Sequence, residues 1–367
     1  MTAYARLFYD DHRFFGYMHG LAKTRRAHGA LELIDIPKPD PGPNDVIVSV
    51  DWAGLCGSDG GIYEFESAFE RMELPTVIGH EYAGRIEEVG ASVTAFAPGD
   101  RVIEVPFHTC GECYQCRRGQ SNVCQNGSIT GVDHHGAYAP FVRAPSQSLI
   151  PIPDGLTLRV AATSEPLGVA VRAVTQNSRI RPGDVVLVEG PGPIGLFAAH
   201  VARAQGAQVV VSGIDKDEAV RLPLARELGF ETCNVAHDDV ESLRASLTDA
   251  DGYDVVIDTT GHPSGLTTAV SAVRRGGQIV LVGQTGETTM PYSPLVRGEI
   301  DLQCSYSASM EDVERGFALM DDGKVDVEAM IGDDFSLREP DAAFEAFLAG
   351  EVVKPLFDLS ELADSTT

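Results

Sequence analysis

Between residues 31 and 105 the apolar positions come in short runs, Val46 to Val50, Tyr82 to Val89 and Arg101 to Val105. Turn-rich stretches such as Lys38-Pro39-Asp40-Pro41-Gly42-Pro43 and Pro98-Gly99-Asp100 separate them. Short β-prone runs broken in this way predict a small barrel or sandwich. From about residue 180 the texture changes. Val185 to Glu189, a helix through Ala204, Gln208 to Ser212, a helix ending near Gly229, Val255 to Asp258 and Gln278 to Gly283 alternate strand and helix, which predicts a parallel sheet with crossover helices. The last sixty residues return to mixed texture, with helices around Glu311 to Met320 and Pro340 to Leu348.

The strand at Val185 leads into Gly190-Pro191-Gly192-Pro193-Ile194-Gly195 and then a helical run, the G-x-G-x-x-G spacing of a dinucleotide site. Gly190 suits the tight turn, Gly192 the approach of backbone to pyrophosphate and Gly195 the close packing of the helix, whose N-terminus faces the phosphates. Pro193 and Ile194 belong to the same loop. The next strand must deliver a group to the adenosine ribose. Pro223 starts the following helix near Arg221, so Gly213 to Val220 is a loop holding Asp215 and Lys216. Asp215 argues for NAD, whereas Lys216 and Arg221 suit the extra phosphate of NADP, and the choice stays open.

Cys110, Cys113, Cys116 and Cys124 follow a C-x2-C-x2-C-x7-C spacing in a glycine-containing loop. Four thiolates in fifteen residues can close a tetrahedral shell around a structural zinc. Buried free thiols rarely crowd so densely, and the spacing differs from the bacterial ferredoxin run. Cys56, and His80 with Glu81 some 24 residues later, combine soft thiolate, imidazole and carboxylate, a set that suits zinc with one position open.

The order Cys56-Gly57-Ser58-Asp59, Gly79-His80-Glu81, the Cys110 to Cys124 lobe, Glu165-Pro166-Leu167 and Gly190 to Gly195 resembles the zinc-containing medium-chain dehydrogenases, in the branch of sorbitol and threonine dehydrogenases. The resemblance implies an α/β protein: a GroES-like β-rich catalytic domain over residues 1–168 and 309–367, and a Rossmann doubly wound parallel-sheet domain over 169–308. It implies two zincs per subunit, one catalytic and one structural, with NAD or NADP as cofactor. Cys56 and His80 are then catalytic-zinc ligands, Glu81 and Glu165 bind or sit beside that zinc, and Ser58 accepts the alcohol proton. A zinc that acidifies a bound hydroxyl allows an alkoxide near neutral pH and hydride transfer to the nicotinamide. The implied substrate is a secondary alcohol, polyol or sugar, and the implied assembly a homodimer or homotetramer. Many relatives have a His five residues after the catalytic Cys, where this chain has Gly61. Water, or less expectedly His134 or His135, then completes the proton path. An aldose 1-dehydrogenase, a non-catalytic zinc-binding relative and an iron–sulfur protein are the competing readings.

Charge adds one further expectation. Asp and Glu number 54 against 28 Lys and Arg, a formal net charge of −26. Such a surface repels phosphate backbones, which excludes nucleic acid as a partner. Its self-repulsion is relieved when salt shortens the Debye length to about 3 Å at 1 M, which favours a halophilic setting. Seven cysteines in a chain without an apolar run of signal-peptide or membrane-spanning length predict a reducing cytoplasm. The first thirty residues, rich in aromatic and basic side chains, have no assigned role beyond packing or a subunit contact.

Overall fold

The uninterrupted apolar run Val185–Glu189 forms a strand buried along its whole length, as a strand covered on both faces requires. A computed structural model describes residues 16–238, 246–247, 251–284 and 286–363. The first fifteen residues, part of the aromatic and basic N-terminal stretch, lie outside them. Val185–Glu189 is central in a six-stranded sheet, with Gln208–Gly213 and Glu231–Asn234 on one side and Tyr253–Asp258, Val273–Leu281 and Asp301–Cys304 on the other. Every pairing is parallel. The order reverses between Val185–Glu189 and Tyr253–Asp258, the crevice where doubly wound folds hold their ligands.

The helix Pro193–Ala204 begins with proline in its first turn, where the missing N–H has no intrahelical partner to lose. A Cβ on Gly195 would stand 1.9 Å from Gly190 O, so only glycine lets this helix close on the loop. The helix after the second strand is Arg221–Glu227, preceded by a single 3-10 turn at Asp215–Asp217. Glu231–Asn234 and Asp301–Cys304 are strands beyond the four expected, and one expected strand differs in extent. Val273–Leu281 starts five residues earlier than the run at Gln278, passing through Arg274-Arg275-Gly276-Gly277, a sequence that reads as a turn. Gly276 takes a φ of 67° and the register slips between Tyr253 and Val255, so the pairing continues through a bulge.

The β-rich part centres on Asp45–Gly54, which pairs antiparallel with Glu81–Val89, Phe141–Pro145 and Lys354–Asp358. Arg101–Glu104 and Leu149–Pro151 extend the sheet on one side and Ile331–Phe335 on the other. The chain therefore comes back to its first sheet after completing the parallel one. Tyr17–Lys23 pairs with Leu31–Pro37 and Thr76–Val77, so this piece of the N-terminal stretch is strand. The buried Lys23 ammonium ties down the turn after it, donating to Ala27 O at 2.6 Å, Gly29 O at 2.7 Å and Tyr63 O at 3.1 Å. The helix Ser164–Val171 joins the two bodies. It packs on Pro193–Ala204 and Met310–Asp321, and one apolar cluster runs from Ile103 and Ile150 through Leu167 to Val186 and Leu196.

Candidate active site

Sheet register brings the first metal-ligating set together. Gly54 stands opposite Glu81 in the antiparallel pair, so Cys56, two residues past the end of one strand, meets His80, one residue before the start of the other. Cys56 is also the N-cap of the helix Gly57–Glu64. Ligand atoms of Cys56, His80 and Glu81 lie within 4.8 Å of one another. Ser58 Oγ is 3.3 Å from His80 Nε2. Asp59, fully buried, accepts from Cys56 N at 3.0 Å and from the Tyr138 hydroxyl at 2.9 Å through one oxygen, and its other oxygen is 3.5 Å from His80 Nδ1. The Lys354 ammonium, buried, contacts Glu81 Oε2 and donates to Leu55 O at 2.9 Å. A Cβ on Gly54 would stand 2.6 Å from Glu81 Oε2 and 3.0 Å from Lys354 Cε, so glycine is what lets these groups approach.

The electrostatics are those of a cation site. Glu81 Oε1 is buried without a hydrogen-bond partner, a costly arrangement that a bound cation repairs, while His80 Nδ1 and Asp59 Oδ1 face each other at 3.5 Å and leave His80 Nε2 as the ligating nitrogen. Burial pushes the Cys56 thiol up, with Glu81 adding to the effect. Burial works against a charged His80, yet the Asp59 and Cys56 charges outweigh it and raise the imidazole well above its ordinary value. Glu165, from the helix Ser164–Val171, is pushed up to about 7, first by burial and then by Glu81. It sits beside the Cys56, His80 and Glu81 cluster. The donor set fits a zinc with an open position.

The second set is the loop of Cys110, Cys113, Cys116 and Cys124, whose sulfurs also fall within 4.8 Å of one another. Four thiolates about 2.3 Å from a tetrahedral zinc stand about 3.8 Å apart. Here Cys113 and Cys124 are 3.8 Å apart, and Cys124 and Cys110 are 3.5 Å apart. Backbone N–H groups of Cys113, Cys116 and Cys110 donate to sulfurs at 3.3, 3.5 and 3.4 Å. Such donors favour thiolate: those of Cys116 and Gln125 bring Cys113 down to about 6. The four sulfurs fit a closed structural zinc.

At the sheet crevice, Gly190 takes a φ of 96° and Gly192 caps the helix Pro193–Ala204. Pro193, Ile194 and Gly195 form that helix's first turn, and Thr259 Oγ1 donates to Glu189 O at 2.8 Å, fastening the loop to the neighbouring strand. Asp215 and Lys216 are exposed just past Gln208–Gly213. Arg221 lies elsewhere. Its guanidinium is buried against the helix Pro340–Ala349 and the residues after it, donating to Phe347 O at 2.7 Å and Val352 O at 3.1 Å, with Asp217 at 3.7 Å. Buried and held on these carbonyls, the guanidinium is turned away from a 2′-phosphate.

Gly61 is crowded: a Cβ there would stand 2.7 Å from the Phe69 ring and 3.1 Å from Glu66 Oε2, so a side chain at this position requires both neighbours to move. His134 is half-buried, stacked on His108 and 2.9 Å from Ser128 Oγ. His135 Nδ1 accepts from Val77 N at 3.1 Å. Sequence reasoning missed Asp59, Tyr138 and Lys354 as parts of the site. Asp59 had a signal, its place three residues after Cys56 at a helix start, where an acid caps the backbone. Lys354, 273 residues from Glu81, had none.

Comparison with known proteins shows the family. The family described as Alcohol dehydrogenase GroES-like domain matches residues 42–154, and that described as Zinc-binding dehydrogenase matches residues 193–322. The chain is 34% identical to a sorbitol dehydrogenase of Halalkalibacterium halodurans, covering 92% of this chain and 98% of that one. It is 32% identical to a D-arabitol-phosphate dehydrogenase of Enterococcus avium (93% and 97%) and to an L-threonine 3-dehydrogenase of Anaeromyxobacter sp. strain K (93% and 99%). A zinc-binding dehydrogenase from Sinorhizobium meliloti 1021 bound to NADP superposes with a TM-score of 0.83 at 27% identity, covering 94% of this chain and all of that one. An E. coli CFT073 protein described as a short chain alcohol dehydrogenase, complexed with NADH, gives 0.84 at 28%, with the same coverage. The chain belongs to the zinc-dependent medium-chain dehydrogenases, in the branch of sorbitol and threonine dehydrogenases. It is a zinc-binding, NAD(P)-dependent oxidoreductase of the alcohol and polyol class.

Proposed function

We propose that the chain oxidises a secondary hydroxyl of a polyol to the ketone, with Cys56, His80 and Glu81 holding the catalytic zinc and Cys110, Cys113, Cys116 and Cys124 the structural one. The observation that carries this reading is the buried cluster of Cys56, His80 and Glu81, with Glu81 Oε1 left without a partner inside it. Bound there, zinc supplies a Lewis acid that acidifies an alcohol, and the dinucleotide accepts the hydride. The chain's own residues do the rest. Asp59 and Tyr138 orient His80, Lys354 holds Glu81 in place, and Ser58, within reach of His80, takes the hydroxyl proton. With no side chain at Gly61 to receive it, the proton leaves through water. Glu165 lines the site as a buried carboxyl pushed up to about 7, first by burial and then by Glu81. The helix start at Gly192 to Gly195 holds the pyrophosphate.

The polyol reading is supported by relatives named for sorbitol and arabitol phosphate. The division into residues 1–168 with 309–367, and 169–308, is part of the same proposal, as are a homodimer or homotetramer and a salt-rich cytoplasmic setting. No helix among the described residues is long and apolar enough to cross a membrane. The test is a panel of polyols, aldoses and L-threonine with NAD and NADP, at low and molar salt. The expected result is a ketose from a polyol with one reduced dinucleotide per turnover, with the melting temperature rising with salt. A lactone from an aldose, with polyols inert, would overturn the substrate assignment; a melting temperature flat in salt would remove the halophilic one.

A further inference from the structure

The two cofactor-bound neighbours carry different dinucleotides, NADP in one and NADH in the other, so kinship leaves the choice open. The end of the strand Gln208–Gly213 bears on it. Gly190 N donates to Ser212 O at 2.9 Å, and a Cβ on Gly213 would stand 3.1 Å from Pro191 Cγ, so this strand end abuts the glycine loop. Asp215 follows two residues later. Its Oδ1 accepts from Asn234 Nδ2 at 3.0 Å and pairs with His237 Nε2 at 2.7 Å. Both partners use the same oxygen, which leaves Oδ2 as an acceptor. Asn234, buried at the end of the neighbouring strand Glu231–Asn234, is itself fixed: its N–H donates to Asp238 Oδ2 at 2.7 Å and its Oδ1 accepts from Ala236 N at 3.0 Å.

Asp215, Glu218, Asn234, His237 and Asp238 line a cleft of about 340 Å³ at this strand end. The arginines near it are spoken for. Arg221 is turned onto Phe347 and Val352, and Arg226 lies 3.4 Å from Glu218 and 2.7 Å from Thr232. Lys216 remains as one exposed ammonium against the carboxylates of Asp215, Glu218 and Asp238. A ribose 2′-hydroxyl can donate to Asp215, whereas a 2′-phosphate there meets like charge.

We propose that Asn234 and His237 are positioning residues that hold Asp215 for the adenosine ribose, and that this arrangement makes the chain take NAD in preference to NADP. An exposed aspartate without such partners samples several rotamers and must be ordered at each binding event, which weakens the contact. The proposal rests on the glycine loop's being the dinucleotide site.

The experiment is equilibrium titration of the full-length, zinc-loaded protein with NADH and NADPH, read by nicotinamide fluorescence and without turnover. The unmodified protein is expected to bind NADH more than about 10-fold tighter than NADPH, and His237→Ala to weaken NADH about 3–10-fold, the worth of one hydrogen bond. His237 is 68% exposed, so this variant keeps the fold. NADPH affinity should move less than twofold, and His237→Gln, which restores an N–H donor, should recover part of the loss. In an Asp215→Ala background, His237→Ala should have no further effect. Tighter binding of NADPH by the unmodified protein, equal weakening of both nucleotides, or an undiminished His237 effect without Asp215 would overturn the proposal. Failure of the unmodified protein to bind either nucleotide would instead overturn the dinucleotide site itself.

Discussion

The Cys110 to Cys124 lobe is organised by its own backbone, whereas the Cys56, His80 and Glu81 cluster is organised by side chains gathered from the length of the chain. In the lobe, all four ligands fall within fifteen residues and three of their own N–H groups point at sulfur. In the cluster, Asp59 and Ser58 come from one helix start, Tyr138 from a loop, Glu165 from the connecting helix and Lys354 from the C-terminal strand. The difference follows from what each site must do. A closed shell needs only four equivalent donors, which a short loop supplies. An open position at the meeting of two bodies needs its ligands fixed by surrounding charges and hydrogen bonds.

The sharpest way to break this contrast is to remove one ligand from each site. Cys56→Ala or His80→Ala should bring turnover below detection while leaving the fold and one zinc per chain, measured by metal analysis beside a melting curve. Retained activity with one zinc bound would mean that the chemistry lies elsewhere. Cys113→Ala should do the reverse. It removes the structural zinc and lowers the melting temperature by roughly 5 °C or more, while the activity of the protein that stays folded remains within a few-fold of the parent. An unchanged melting temperature would show that the lobe's backbone orders itself without the metal.

Between these effects stands Lys354. Its ammonium and the Glu81 carboxylate are each about 1% exposed, so in the zinc-free protein Lys354→Met leaves a buried carboxylate unpaired, a loss of about 3–5 kcal/mol by denaturant unfolding. Glu81→Gln combined with Lys354→Met should recover most of that stability without restoring full activity. If the single variant were as stable as the parent, Lys354 would not be what holds Glu81.

Legibility in the sequence follows the same division. The lobe and the glycine loop could be read because their ligating groups are close in sequence and the spacing itself encodes the geometry. The parallel sheet could be read because buried strands such as Val185–Glu189 are uniformly apolar. Lys354 could not, because its partnership depends on Lys354–Asp358 pairing with Asp45–Gly54. The strand through Arg274 to Gly277 was hidden by residues that ordinarily mark a turn, and Arg221 drew attention as a cation near the ribose when its bonds run to Phe347 and Val352.

The smallest effect is expected in the segment between the two sites, where Gly131 and Gly136 close onto Gly79, the neighbour of His80. His134 and His135 lie on that segment, in sight of the chemistry. Their bonds point to packing: His134 stacks on His108 and reaches Ser128, and His135 Nδ1 accepts the Val77 N–H, a bond that only the neutral ring can make. Burial lowers the His134 imidazole from its ordinary value, with the His108 charge adding to the effect, and partial desolvation of its ring lowers that of His135, which remains an exposed residue. A base whose pKa falls on folding binds fewer protons in the native state, so its contribution to stability is present above about pH 6.5 and is lost as pH drops through the lowered value. His134→Asn and His135→Asn should therefore leave turnover and its pH profile within about twofold, and should flatten the acid-side decline of stability below pH 6.5. The measurements are kcat against pH and melting temperature against pH for the same two proteins. A large loss of kcat in either variant, with disappearance of a titration near neutral pH and recovery by added imidazole, would make that histidine the proton acceptor and remove water from the path.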